Sequence, residues 1–154
     1  MEIEKKLAVL GVKLPAPPQP AAHYIPYVRV GNLLFVGGNT GRLNGQPHAY
    51  VGKVGEQVTL EQGYEMARRC ALNHLAVIKS AVGDLDHVER FVKLIGYVNV
   101  ASGFTKMPQV INGASDLFVE VWGERGEHAR AAVGVASLAN DAPVETEVIV
   151  QVRD

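Results

Sequence analysis

The feature that most limits how this chain can fold is its closing run, Val144-Glu145-Thr146-Glu147-Val148-Ile149-Val150-Gln151-Val152. Strict alternation over nine residues predicts a strand whose valines and Thr146 face a core, while Glu145, Glu147, Ile149, Gln151 and Arg153 face the other way. Just upstream, Ala129-Arg130-Ala131-Ala132-Val133-Gly134-Val135-Ala136-Ser137-Leu138 reads as a second strand in which Arg130 is the sole charge. Burying an unpaired cation costs several kcal/mol, so an anion should meet it. Two partners fit. Arg130 can pair with Glu145 or Glu147 in a structural salt bridge, or its guanidinium can act as a fork for a ligand carboxylate. If the two strands form a hairpin about Ala139-Asn140-Asp141-Ala142-Pro143, Arg130 faces the neighbourhood of Gln151, so spacing alone does not choose between these partners.

Composition narrows the function classes. The chain has 154 residues, 47% hydrophobic and 20% charged, which suits one domain with a single core. A net charge of −1 and a pI near 6.5 lack the footprint of a nucleic-acid binder. Cys70 is the single cysteine, so no internal disulfide and no multi-cysteine metal site can form, and a cytoplasmic location is the expectation. The five histidines, His23, His48, His74, His87 and His128, show no ligand spacing, so no metal is expected. The opening Met1-Glu2-Ile3-Glu4-Lys5-Lys6 is not signal-like, and no apolar run approaches the ~20 residues of a membrane span.

Read in order, residues 2–10 predict a short amphipathic helix with Ile3, Leu7 and Leu10 on one side and Gly11 as its stop. The proline-rich segment Leu14 to Pro20 favours extended geometry, so residues 1–21 form a helix and arm ahead of a domain over 22–154. Tyr27-Val28-Arg29-Val30, Gly31-Asn32 and Leu33 to Gly38 predict a β-hairpin. Gly37-Gly38-Asn39 at its end allows a close backbone approach, to packing or to ligand. A glycine-rich loop or short strand spans Gly41 to Gly55. Thr59 with Gln62 forms a capping-box pattern opening a helix whose stripe is Leu60, Tyr64, Ala67, Ala71, Leu75, Ile78 and Val82, ended by Gly83. Cys70 and His74 on that helix read as packing. Residues 88–100 predict a strand with Phe91, Lys93, Ile95 and Tyr97 opposite Val92, Leu94, Gly96 and Val98. A second long helix lies between Pro108 and Gly123, with Val110, Ala114, Leu117, Phe118 and Val121 inward. The order predicts an α+β fold, a mixed sheet with two helices packed on one face.

That order, together with Ile25-Pro26-Tyr27-Val28, Gly37-Gly38, Val110-Ile111-Asn112 and above all Ala129-Arg130 followed by Val144-Glu145-Thr146-Glu147, resembles the Rid family, also called YjgF/YER057c/UK114. The resemblance covers residues 22–152 and leaves the first twenty as an extra arm. It implies a chorismate-mutase-like fold assembled as a homotrimer with ligand sites between neighbouring subunits. It also implies hydrolysis of 2-imino or enamine acids to 2-keto acids and ammonia without a cofactor. On this resemblance Arg130 grips the substrate carboxylate, Glu145 positions the attacking water, and Tyr27, Gly38, Asn39 and Asn112 line the site. The implied partners are a small carboxylate substrate and two further copies of the chain, with neither nucleic acid nor membrane. The sequence departs from the family pattern at Ala132, Ser115, Gly37 and Ala139, changes that enlarge or repolarise the pocket and leave the substrate's other end open. An alternative reading is a trimeric binder that holds a keto acid without turnover. The trimer is also expected from the face bearing Ile149, with Ala132 and Leu138 on the Arg130 side of the preceding strand, which is too apolar to leave wet.

Overall fold

The computed structural model describes residues 1–153. Its elements are α1 (Glu2–Val9), β1 (Tyr27–Val30), β2 (Leu33–Asn39), α2 (Leu60–Val82), β3 (Val88–Asn99), α3 (Met107–Trp122), β4 (Ala129–Val135) and β5 (Val144–Val152), with short 3-10 turns before β3, after α3 and before β5. The boundaries follow local chemistry. Gly31 makes the hairpin turn at φ +59°. Thr59 and Gln62 close the capping box at 3.1 and 3.0 Å, and Gly83 ends α2 at φ +78° with its N–H on the Lys79 carbonyl. Helix α1 has no side-chain cap of its own. Asp86 supplies one from outside, accepting the backbone N–H of Glu2 at 2.7 Å and of Ile3 at 2.8 Å. This docks the helix and buries Ile3 and Leu7 in the main core.

The sheet order is β1-β2-β5-β3-β4; β3 and β4 run parallel and every other pair is antiparallel. Helices α2 and α3 lie on one face. Val144, Thr146, Val148, Val150 and Val152 all point into the layer beneath them, as the alternation requires. Strand β3 departs from simple alternation. A bulge between Phe91 and Lys93 shifts the register, so Phe91 joins Leu94 and Val98 in the core, stacked on Phe118 at 4.1 Å. Two glycines let the layers close up. A Cβ on Gly113 would run into the Tyr64 carbonyl of α2, and one on Gly96 would overlap Ile111 of α3. The second approach brings α3 down onto β3 and β4.

The last two strands are not a hairpin. β3 lies between them, pairing Arg130 with Leu94 and Glu145 with Tyr97. Directly paired residues share a face, so Arg130 and Ala132 lie on the helix side. It is Val133, not Ala132, that shares the open face with Ile149. That face is apolar as expected but differently composed, with Val28, Phe35 and Val133 exposed at 50, 42 and 42%. A hollow of about 260 Å³ there is lined by Tyr27, Val28, Phe35, Ile95 and Ile149 beside Glu147. No helix of the described residues is long and apolar enough to cross a membrane.

Candidate active site

Arg130 sits on the edge strand β4, under the first turns of α3. Its Nη1 donates to Asn112 Oδ1 at 2.7 Å and to Ser115 Oγ at 3.1 Å, and Nη2 donates to the Pro108 carbonyl at 3.4 Å. Among the described residues no carboxylate pairs with it. The salt-bridge alternative therefore fails, because Glu145 and Glu147 stand opposite Tyr97 and Ile95 on the other face of the sheet. The neutral partners use both Nη1 hydrogens and one on Nη2. They leave Nε–H and the second Nη2 hydrogen, the side-on edge with which a guanidinium holds a carboxylate by two parallel bonds.

The Ser115 hydroxyl is itself aimed. His128 Nδ1 lies 2.6 Å from the Gly126 carbonyl, which only accepts, so this nitrogen carries the proton. Burial and the neighbouring Arg130 charge both push the imidazole pKa down, keeping it neutral, so Nε2 is an acceptor 2.9 Å from Ser115 Oγ. Ser115 therefore donates to His128 and turns a lone pair to Arg130. The serine at this departure from the family pattern thus holds the arginine rather than disabling it.

Glu145 is built into a different place. Its carboxylate lies against Gly38, where a Cβ would come within 2.6 Å of Oε1, so the glycine supplies room rather than conformational freedom. No side-chain hydrogen bond engages Glu145 among the described residues. Burial, then the charge of Glu147, raise its pKa above the ordinary carboxylate range. The carboxyl opens on a cavity of about 440 Å³ whose walls include Tyr24, Asn39, Arg42, His48, Asn140 and, from the arm, Gln19. Asn39 Oδ1 accepts from Gly41 N at 3.1 Å and from buried Asn73 at 2.7 Å, and the Asn39 amide hydrogens have no hydrogen-bond partner among the described residues. Replacing Gly38 with alanine is expected to preserve the fold and displace the Glu145 carboxylate. Any reaction that uses this carboxylate should then slow by on the order of a hundredfold with little change in melting temperature, and an unchanged rate would separate Glu145 from the chemistry.

The expected site residues thus fall into three groups within one copy. Arg130 and Asn112 meet under α3. Glu145, Gly38 and Asn39 meet around one cavity at the far end of the sheet, Glu145 on the face opposite Arg130 and Asn39 paired with Thr146 on the helix side. Tyr27 lines the hollow beside Glu147 rather than the Glu145 cavity. Cys70 and His74 are fully buried as packing residues. Burial raises the Cys70 thiol to about 12 and lowers His74 to about 4, and both side chains are closed off from solvent, with His74 Nε2 bonded to Thr146 Oγ1 at 2.7 Å. Sequence reasoning missed the hold of His128 on Ser115. It also missed Arg42 and His48. The one available signal for His128 was its place two residues before Arg130, the separation that keeps strand neighbours on one face.

Residues 4–142 match the family described as "YjgF/chorismate_mutase-like, putative endoribonuclease". The chain is 42% identical over 153 residues to Protein TCP17 of Trypanosoma cruzi, covering 99% of this chain and 95% of the relative. Among solved structures it is similar to the protein Atu1372 of Agrobacterium tumefaciens, with 42% identity, a TM-score of 0.91 and coverage of 99 and 93% of the two chains. It is likewise similar to a Shewanella oneidensis protein described as a "putative endoribonuclease", at 29% identity and a TM-score of 0.93 over 97 and 99%. These matches take in the amino-terminal helix and arm as well as the sheet and its two long helices. On this breadth of agreement in sequence and fold, the chain belongs to the YjgF/chorismate-mutase-like family.

Proposed function

We propose that the protein is a hydrolytic deaminase that converts reactive 2-imino or enamine acids to 2-keto acids and ammonia, and that its site is completed between copies of a homotrimer. One observation carries the reading: a raised, unbonded carboxyl at Glu145 opens on a cavity, and a guanidinium with a free fork edge at Arg130 has only neutral partners. The two lie on opposite faces, two strands and three register positions apart, or more than about 10 Å. A ligand held by both must therefore lie between two copies, and the apolar open face supports that contact.

The chemistry needs little beyond placement. Arg130 holds the carboxylate, which fixes the adjacent imine carbon. Glu145 accepts a proton from water as the hydroxyl oxygen bonds to that carbon, giving a carbinolamine. The nitrogen takes up a proton, the C–N bond breaks, and the hydroxyl proton leaves as the keto oxygen forms, releasing ammonia. Proximity and a base whose pKa is raised toward neutrality supply the acceleration. The endoribonuclease description of the relatives would ask for a cationic track along a phosphate backbone, whereas this chain carries a net charge of −1.

The test is a coupled assay in which a pyridoxal-phosphate dehydratase generates the imine. Added protein should accelerate keto acid release in proportion to its concentration. Release at the spontaneous rate, with 2-ketobutyrate still bound, would leave a non-catalytic binder.

A further inference from the structure

The Glu145 cavity contains a cation that the proposed chemistry does not use. Arg42 stands on its rim with an exposed side chain. Its Nε donates to the Gln46 carbonyl at 2.8 Å, which fixes the plane of the guanidinium. Among the described residues no carboxylate pairs with Arg42, so both terminal nitrogens remain available.

The position of Arg42 is held from the core. Asn73, fully buried on α2, spends its two amide hydrogens on Asn39 Oδ1 at 2.7 Å and on the Arg42 carbonyl at 2.8 Å, while its own Oδ1 has no partner. A buried amide with an unsatisfied oxygen is costly, and here its donors brace two cavity residues at once. His48 adds a second polar group, with a buried Nδ1 that has no hydrogen-bond partner, on the same wall. Leu43 and Ala139 supply apolar contact elsewhere in the cavity, while Arg42 gives this wall a charged donor suited to an anionic group.

We infer that Arg42 receives an acidic group at the far end of the ligand, so that the preferred substrates are dicarboxylic imino acids rather than short apolar ones. This rests on the deaminase reading for what happens at Glu145. The α-carboxylate goes to Arg130 of a neighbouring copy, the imine carbon to Glu145, and the side-chain carboxylate to Arg42. The arm, through Gln19, and the neighbouring Tyr24 wall the cavity around that side chain.

Calorimetry on the full-length protein with 2-oxoglutarate and 2-ketobutyrate tests it. Wild type should prefer the dicarboxylate by about tenfold or more, the value of one charge-assisted contact, and the preference should shrink as salt rises because Arg42 is exposed. Arg42→Gln should collapse the ratio toward one, and Arg42→Lys should leave an intermediate ratio. Equal affinities in wild type, or a ratio untouched in Arg42→Gln, would overturn the assignment. Glutarate and butyrate, which have no keto carbon, separate the two claims. An Arg42-dependent preference for glutarate without any Glu145-dependent turnover keeps the anion site and removes the deaminase. Glu145-dependent turnover with no Arg42-dependent preference removes the anion site alone.

Discussion

Replacing Arg130 with lysine should weaken 2-keto acid binding by about one to two orders of magnitude while the melting temperature changes little. The substitution keeps the charge and removes the geometry. In the native site Asn112 and Ser115 take both Nη1 hydrogens, which fixes the guanidinium plane and presents Nε–H and Nη2–H as a pair. A lysine ammonium can reach the same neighbours or the ligand, but cannot offer two parallel donors to a planar carboxylate. Losing one charge-assisted hydrogen bond is worth roughly 1.5–3 kcal/mol, which is the stated fall in affinity. Stability should hold because no ion pair is broken and the half-buried partners are neutral. Calorimetry with 2-ketobutyrate and a thermal melt check both halves. If the variant unfolds, or binds as well as wild type, Arg130 is a brace for α3 and not a ligand clamp.

Much of the fold was legible because its signals are local. The Thr59–Gln62 box, the Gly31-Asn32 turn and the alternation from Val144 to Val152 each act within a few residues, and each element formed where they placed it. What failed was long range. Nothing local to Ala129–Val135 says that it pairs in parallel with β3, leaving β5 on the far side of β3. The notion that it might face β5 came from their nearness in sequence. That one pairing decides whether Arg130 meets Glu145 or lies behind the sheet from it, so the salt-bridge alternative could not be resolved before the structure. The bulge at Phe91 is of the same kind, since a single extra residue moves a side chain from one face to the other. Of the site residues named from family resemblance, the structure brings Arg130 beside Asn112 and Glu145 beside Gly38 and Asn39. Their grouping was not legible. The supporting residues His128 and Asn73 act through a second side chain, and such indirect contacts leave no spacing signature.

The separation of Arg130 from Glu145 leads to the second large effect. Arg130→Ala and Glu145→Gln should each lose nearly all turnover alone, the first by loosening the substrate and the second by removing the carboxylate that takes a proton from water. The glutamine should leave carboxylate binding largely intact, since it keeps the shape and one acceptor. In wild type the activity should rise with pH through the pKa of Glu145. That group is the base when ionised, and its pKa lies above the ordinary carboxylate range, so the acid side of the profile is displaced upward. Glu145→Gln should abolish that limb. Co-expressing the two defective chains then gives a result that neither predicts alone. On the proposed trimer, each site would draw Arg130 from one copy and Glu145 from the next. A copy carrying only Glu145→Gln still supplies a sound arginine, and a neighbour carrying only Arg130→Ala still supplies a sound glutamate. Random assembly of equal amounts restores about a quarter of the sites, because each such order arises with probability one half times one half. Mixed assemblies should recover activity to about that fraction of wild type, and the recovered activity should sediment with the oligomer. If both residues served one site within a single copy, every mixed assembly would stay as inactive as its parents, and the intersubunit site would be excluded.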